Sequence, residues 1–335
     1  MEAADKLSIE RHSVQRGRID VHAHYLPTRY REEIIAAGHS HPDGMPFLPE
    51  WDIAQALDLM DCMQVQTQML SISSPGVHFG DDTAARKLSR FVNEQGAQAM
   101  RDYPERFGLF ASLPLPDVDG ALLELEHVFD VLKADGIVLK SNFHGLYPGD
   151  PKFEPLFAEL NRRRAIVFLH PTSPACPCCH GSGLGYPRPT LEFIFETTRA
   201  VTNLILNGVV TRHPNIRFIV PHAGAALPLI VDRVIGSMSV LGLPRPLSGE
   251  EILADIRSLY FDLAGYPVPR GIPALFEIAD QSHVMYGSDW PFTPRAKAEK
   301  LAEALDATPT LAGALRDAIM RGNALELFPR LKARD

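Results

Sequence analysis

From residue 19 onward, short apolar runs alternate with stretches whose apolar positions recur every three or four residues. Eight runs read as strands: 19–22, 67–72, 107–113, 136–140, 166–170, 217–221, 258–263 and 283–287. Residues 81–102 place Ala84, Leu88, Phe91, Val92 and Ala99 on one helical face. Residues 119–133 do the same with Leu122, Leu125, Val128, Phe129 and Leu132, and 190–208 and 225–236 behave alike. A βα unit repeated about eight times predicts an α/β fold, a (β/α)8 TIM barrel. A doubly wound sheet would need a glycine-rich phosphate loop after a strand, and none is seen. The pattern makes residues 1–18 an N-terminal tail and 19–335 a single catalytic barrel domain ending in C-terminal helices.

Barrel chemistry sits where strands end, and polar residues cluster where these apolar runs stop. The first run ends in Asp20-Val21-His22-Ala23-His24 and another in His170-Pro171. A third closes in Pro221-His222-Ala223-Gly224 and a fourth in Gly287-Ser288-Asp289-Trp290-Pro291. Alternation along a strand puts Asp20, His22 and His24 on one face. Two imidazoles so spaced can bind a single divalent metal, with Asp20 orienting them from behind.

Composition narrows the partners. A net charge of -8 argues against a nucleic-acid backbone or an anionic membrane as partner. No apolar run reaches the length of a membrane span, and the first 18 residues lack an apolar signal core. The expectation is a cytoplasmic protein. Three of the four cysteines, Cys176, Cys178 and Cys179, cluster before His180, but no second ligand pair completes a structural zinc site.

The order His-x-His, His-Pro, His-Ala-Gly, Gly-Ser-Asp-x-Pro resembles the amidohydrolase superfamily. Within it, the chain is similar to the aminocarboxymuconate-semialdehyde decarboxylase-like branch, which includes γ-resorcylate, 5-carboxyvanillate and 6-methylsalicylate decarboxylases. The segment from Gly185 to Thr198 is most like the 6-methylsalicylate subgroup. The resemblance implies one divalent metal held by His22, His24, His170 and Asp289, with Zn²⁺ expected and Mn²⁺ its rival. It implies His222 as the catalytic histidine beside the metal, and a homodimer. Three neutral imidazoles and a carboxylate suit a first-row ion on chemical grounds as well.

The expected reaction is non-oxidative decarboxylation of an aromatic, hydroxybenzoate-like or muconate-type carboxylic acid. Either Asp289 or His222 would supply the ring proton. The same site could instead activate water in a hydrolase of a lactone, amide or ring-fission product, or in a hydratase. Lys140 ends the fourth strand, where binuclear amidohydrolases carry a carboxylated lysine. It would either bridge a second metal or pair with the substrate carboxylate, depending on which way the strand faces. Arg188 could clamp a carboxylate, and Trp290 and Phe292 could stack on a planar substrate. Asp262, ending the seventh strand, is expected to bond His222 or line the pocket. His78 and His144, without an evident partner, fall outside the expected site.

Overall fold

The computed structural model describes residues 17–175, 185–238, 240 and 247–332. Eight parallel strands follow one another in sequence order around the sheet. They are β1 (Arg18–His24), β2 (Val65–Ser71), β3 (Phe107–Ser112), β4 (Gly136–Lys140), β5 (Ile166–His170), β6 (Arg217–Val220), β7 (Tyr260–Asp262) and β8 (Val284–Met285). The β1 and β8 edges meet through Val21 N–H donating to the Tyr286 carbonyl at 3.0 Å and a bridge between Ala23 and Trp290. The result is the expected (β/α)8 barrel. The helix of residues 81–102 spans Asp82–Asp102, capped by the Asp81 side chain on Ala84 N–H.

The barrel interior is filled by Ile19, Val21, Met69, Phe110, Val138, Phe168, Ile219 and Met285. Phe328 and Leu331, from the last helical turns, join this cluster, and Phe328 packs on Phe110. That end is closed by hydrocarbon, so polar strand ends can gather only at the other mouth. A tilted stack of Phe110 on Phe168, with ring centroids 5.4 Å apart, forms the floor beneath that mouth. His22 stands edge-on to Phe168 at 4.8 Å.

One sequence expectation fails in β1. Its register with β2 steps from Asp20↔Gln68 to Ala23↔Leu70, three residues against two. This bulge reverses the facing, so Asp20 lies on the opposite side from His22 and His24. Asp20 accepts from Ser288 N–H (3.0 Å), Ser288 Oγ (2.6 Å) and Gln68 Nε2 (3.2 Å), pinning β1 to the chain after β8. Burial pushes its carboxyl up to about 6 despite those donors. Asp20 is therefore a structural tie rather than the acid that orients the imidazoles.

Candidate metal centre

Side chains from the ends of β1 and β5 and from the loop after β8 converge at the open mouth. The ligand atoms of His22, His24, His170 and Asp289 all lie within 4.8 Å of one another. The three histidines are fully buried, while the Asp289 side chain keeps 20% of its exposure. Asp289 Oδ1 sits 3.1 Å from His24 Nε2 and 3.3 Å from His22 Nε2. The backbone at Asp289 is left-handed (φ 60°), held by its N–H donating to the His22 carbonyl at 2.7 Å.

Each imidazole is fixed from its far side. His22 Nδ1 bonds Asp262 Oδ2 at 2.9 Å, His24 Nδ1 bonds Ser71 Oγ at 2.9 Å, and His170 Nδ1 donates to the Pro171 carbonyl at 2.7 Å. All three therefore turn Nε2 toward the cluster, the arrangement by which outer partners set tautomer and orientation in metal sites. The close approach of β7 and β8 needs Gly287. A Cβ there would lie 2.9 Å from His22 Cβ and 3.2 Å from Asp262 Cβ.

The residues fit a divalent cation. His22 Nε2 is buried without a hydrogen-bond partner, because its approach to Asp289 lacks hydrogen-bond geometry. Burial by itself pulls the His22 imidazole down, but the Asp262 and Asp289 carboxylates outweigh it and carry it up to about 10. Two carboxylates thus call for a positive charge at His22, and a proton answers when no metal does. Burial holds His24 down at about 4 and His170 well below its ordinary value, so these two are neutral ligands in waiting. Burial would raise Asp289, yet the charge and hydrogen bonds of the histidines keep it well below the usual carboxylate range.

His222 follows β6 in a left-handed conformation (φ 58°), with its Nε2 4.0 Å from Asp289 Oδ2 and its Nδ1 buried and unpartnered. Its backbone N–H donates to Asp262 Oδ1 at 3.0 Å, so one carboxylate positions both His22 and His222. Gly265 (φ +72°) leaves room for the ring, since a Cβ there would come within 2.8 Å of His222 Cδ2. Sequence reasoning left Asp262 between two roles. Its strand-end position was the signal, and its partners became visible only in the fold.

Beside the cluster lies a cavity of about 560 Å³, within the range that accepts small organic ligands. Lys140 and Arg188 both line it. Lys140 pairs in register with His170, which settles its facing as inward, and its Nζ donates to the Ile72 carbonyl at 2.5 Å. Burial brings the Lys140 ammonium down to about 7, against the pull of Asp43. Among the described residues, one His/Cys/Asp/Glu group has metal-binding spacing, and Lys140 adjoins it.

Phe292 reaches the site, its ring 5.6 Å from that of His24. Trp290 is 5% exposed and packed in the core; its carbonyl accepts His24 N–H at 2.8 Å. His78 and His144 stay outside the metal cluster, but the expectation that they lack a partner is corrected. They partner each other at 2.9 Å between His78 Nδ1 and His144 Nε2, and both line the cavity. Residues 66 positions apart leave no joint signal in one sequence until loops bring them together. The Cys176, Cys178 and Cys179 cluster lies outside the described residues. No helix among those described is long and apolar enough to cross a membrane.

Residues 19–330 match the amidohydrolase family model. A 6-methylsalicylic acid decarboxylase of Penicillium expansum is 35% identical over 94% of this chain and 97% of its own length. A γ-resorcylate decarboxylase of Rhizobium radiobacter is 28% identical, covering 81% of this chain and 85% of its own. A crystal structure described as an amidohydrolase superposes with a TM-score of 0.87 at 35% identity, covering 93% of this chain and 99% of that one. The chain belongs to the amidohydrolase family.

Proposed function

We propose that this protein is a metal-dependent decarboxylase of a hydroxybenzoate-like carboxylic acid. The observation that carries the reading is the His22, His24, His170 and Asp289 cluster, with Lys140, the strand partner of His170, lining an adjoining cavity together with Arg188. Relatives that decarboxylate 6-methylsalicylic and γ-resorcylic acids support it. Residues 19–335 act as one catalytic barrel domain.

His22, His24, His170 and Asp289 are the ligands. Zn²⁺ is the expected ion because imidazole nitrogens suit it and it also accepts a carboxylate oxygen, with Mn²⁺ as rival. When bound, the metal would neutralise anionic oxygens of the substrate and polarise them. The remaining work falls to this chain's own groups. Lys140 and Arg188 draw the carboxylate into the cavity, and an arriving anion raises Lys140 back toward its charged form. Phe292, edge-on to His24, confines the ring.

The ring carbon bearing the carboxylate must take up a proton before the C–C bond breaks. Electrons of that bond then restore the aromatic ring as CO₂ leaves. Asp289 is held strongly ionised and is a poor acid. His222, with an unpartnered Nδ1 and its Nε2 at the edge of the cluster, is the group placed to hold and deliver the proton.

The deciding experiment measures metal content and then assays the metal-loaded enzyme for CO₂ release across hydroxybenzoates and muconate semialdehydes. Turnover of lactones or amides, with no CO₂ from any carboxylate, would overturn the reading in favour of hydrolysis.

A further inference from the structure

The cavity has a second polar wall that the proposed chemistry does not use. The loop after β2 carries His78 and the loop after β4 carries His144, four residues beyond Lys140. His78 Nε2 bonds Asp82 Oδ1 at 2.8 Å, and His78 Nδ1 faces both His144 Nε2 at 2.9 Å and the Gly80 N–H at 3.2 Å. An amide N–H can only donate, so His78 Nδ1 is an acceptor and the proton of His78 resides on Nε2, directed at Asp82. His144 Nε2 must then donate to His78 Nδ1. Among the described residues the Nδ1 of the neutral His144 ring meets no partner and is an acceptor.

This chain of bonds is a positioning device and not a proton wire. Passing a proton through His78 would require its Nδ1 to become a donor, facing the fixed Gly80 N–H. Burial and the neighbouring His78 both lower His144 from its ordinary value, which keeps the ring neutral. Its backbone is also fixed in the left-handed region (φ 52°). Asn142 holds that turn by accepting Gly145 N–H at 3.1 Å, while its own Nδ2 is bound to the Ser173 carbonyl and Glu196. Asp43, also on the cavity wall, is engaged with Ser173, its Oδ1 accepting from both Ser173 N–H and Ser173 Oγ.

We propose that His144 is a specificity-determining residue that accepts a hydrogen bond from a hydroxyl on the substrate ring remote from the carboxylate, with His78 and Asp82 as positioning residues. The preferred substrate is then a ring acid with a second donor group, a dihydroxybenzoate over a monohydroxybenzoate; this rests on the decarboxylase reading. A hydrogen bond of this kind contributes about fivefold in affinity.

The test uses metal-loaded enzyme and ligands that do not react: phenol, catechol, resorcinol and hydroquinone, titrated by calorimetry. One dihydroxybenzene should bind about fivefold tighter than phenol, and His144→Phe should erase that preference while leaving phenol affinity unchanged. Asp82→Asn should weaken the preference without touching phenol. If His144→Phe unfolds by circular dichroism, His144→Ala serves in the same comparison. A flat series, or a preference that survives loss of the imidazole, would overturn the inference. Failure of the underlying reading shows differently, as no CO₂ from any hydroxybenzoate whatever the phenols do.

Discussion

The metal cluster and the outer wall of its cavity are built by opposite means. In the cluster, ligands sit at the ends of β1 and β5 or within a few residues of β8, and each imidazole has an acceptor behind it. The wall is made of residues outside the strands, His78, His144 and Arg188, and His78 and His144 hold each other across two loops. Strand ends are held by the barrel's hydrogen-bonded ladder and packed interior, so the cluster is pre-organised at little local cost. Loops after strands can change without disturbing the ladder. On the proposed reading, chemistry belongs to the rigid part and choice of substrate to the variable part.

The sharpest way to break this division is to remove a ligand. His24→Ala should abolish stoichiometric metal binding and reduce CO₂ release to background, as metal analysis of the purified variant would reveal. Retention of both would remove His24 from the centre. Next in size, His222→Asn should lower kcat by about 10²- to 10⁴-fold, the usual contribution of a general acid, with metal content intact. Loss of metal in that variant would make His222 a ligand instead.

Asp262→Asn probes the support behind the cluster. Metal affinity should fall by about 10- to 100-fold, read by competition with a chelator. Acidity gives an independent measure of the same support. His22, near 10, is protonated at neutral pH in the metal-free protein, whereas His24 and His170 are neutral. Metal entry should therefore release one proton from His22, and affinity should rise about tenfold per pH unit from neutrality up to the His22 pKa. Calorimetry in buffers of different ionisation enthalpy counts that proton. Zero release would mean that Asp262 and Asp289 do not charge His22.

The smallest expected change lies on the cavity side. Lys140→Met should raise KM about tenfold, the size of one charge-assisted contact, leaving metal content unchanged. Metal loss together with activity would instead implicate Lys140 in the centre itself.

Much of the site was legible because strand-end residues sit at the boundary of an apolar run, which one sequence shows directly. His22, His24, His170, His222 and Asp289 all announced themselves this way. Asp20 misled because a bulge in β1 reverses the alternation, and nothing in Asp20-Val21-His22 marks an extra residue. The facing of Lys140 stayed open for the same reason until its pairing with His170 fixed it. His78 and His144 were set aside because their partnership exists only across two loops. Trp290 looked like a stacking platform from its place after Asp289. Its burial and its carbonyl bond to His24 instead make it part of the wall that holds β1.

By itself the sequence determined the barrel, from periodicity, and the polar strand ends at its mouth, from where each apolar run stops; the family resemblance picked the four metal ligands out of those ends. Only the tertiary structure decided which acid orients which histidine, that Asp262 serves His22 and His222 together, and that His78 and His144 form a second wall. Those relations depend on register and loop approach between segments far apart in the chain, and local pattern carries no information about either.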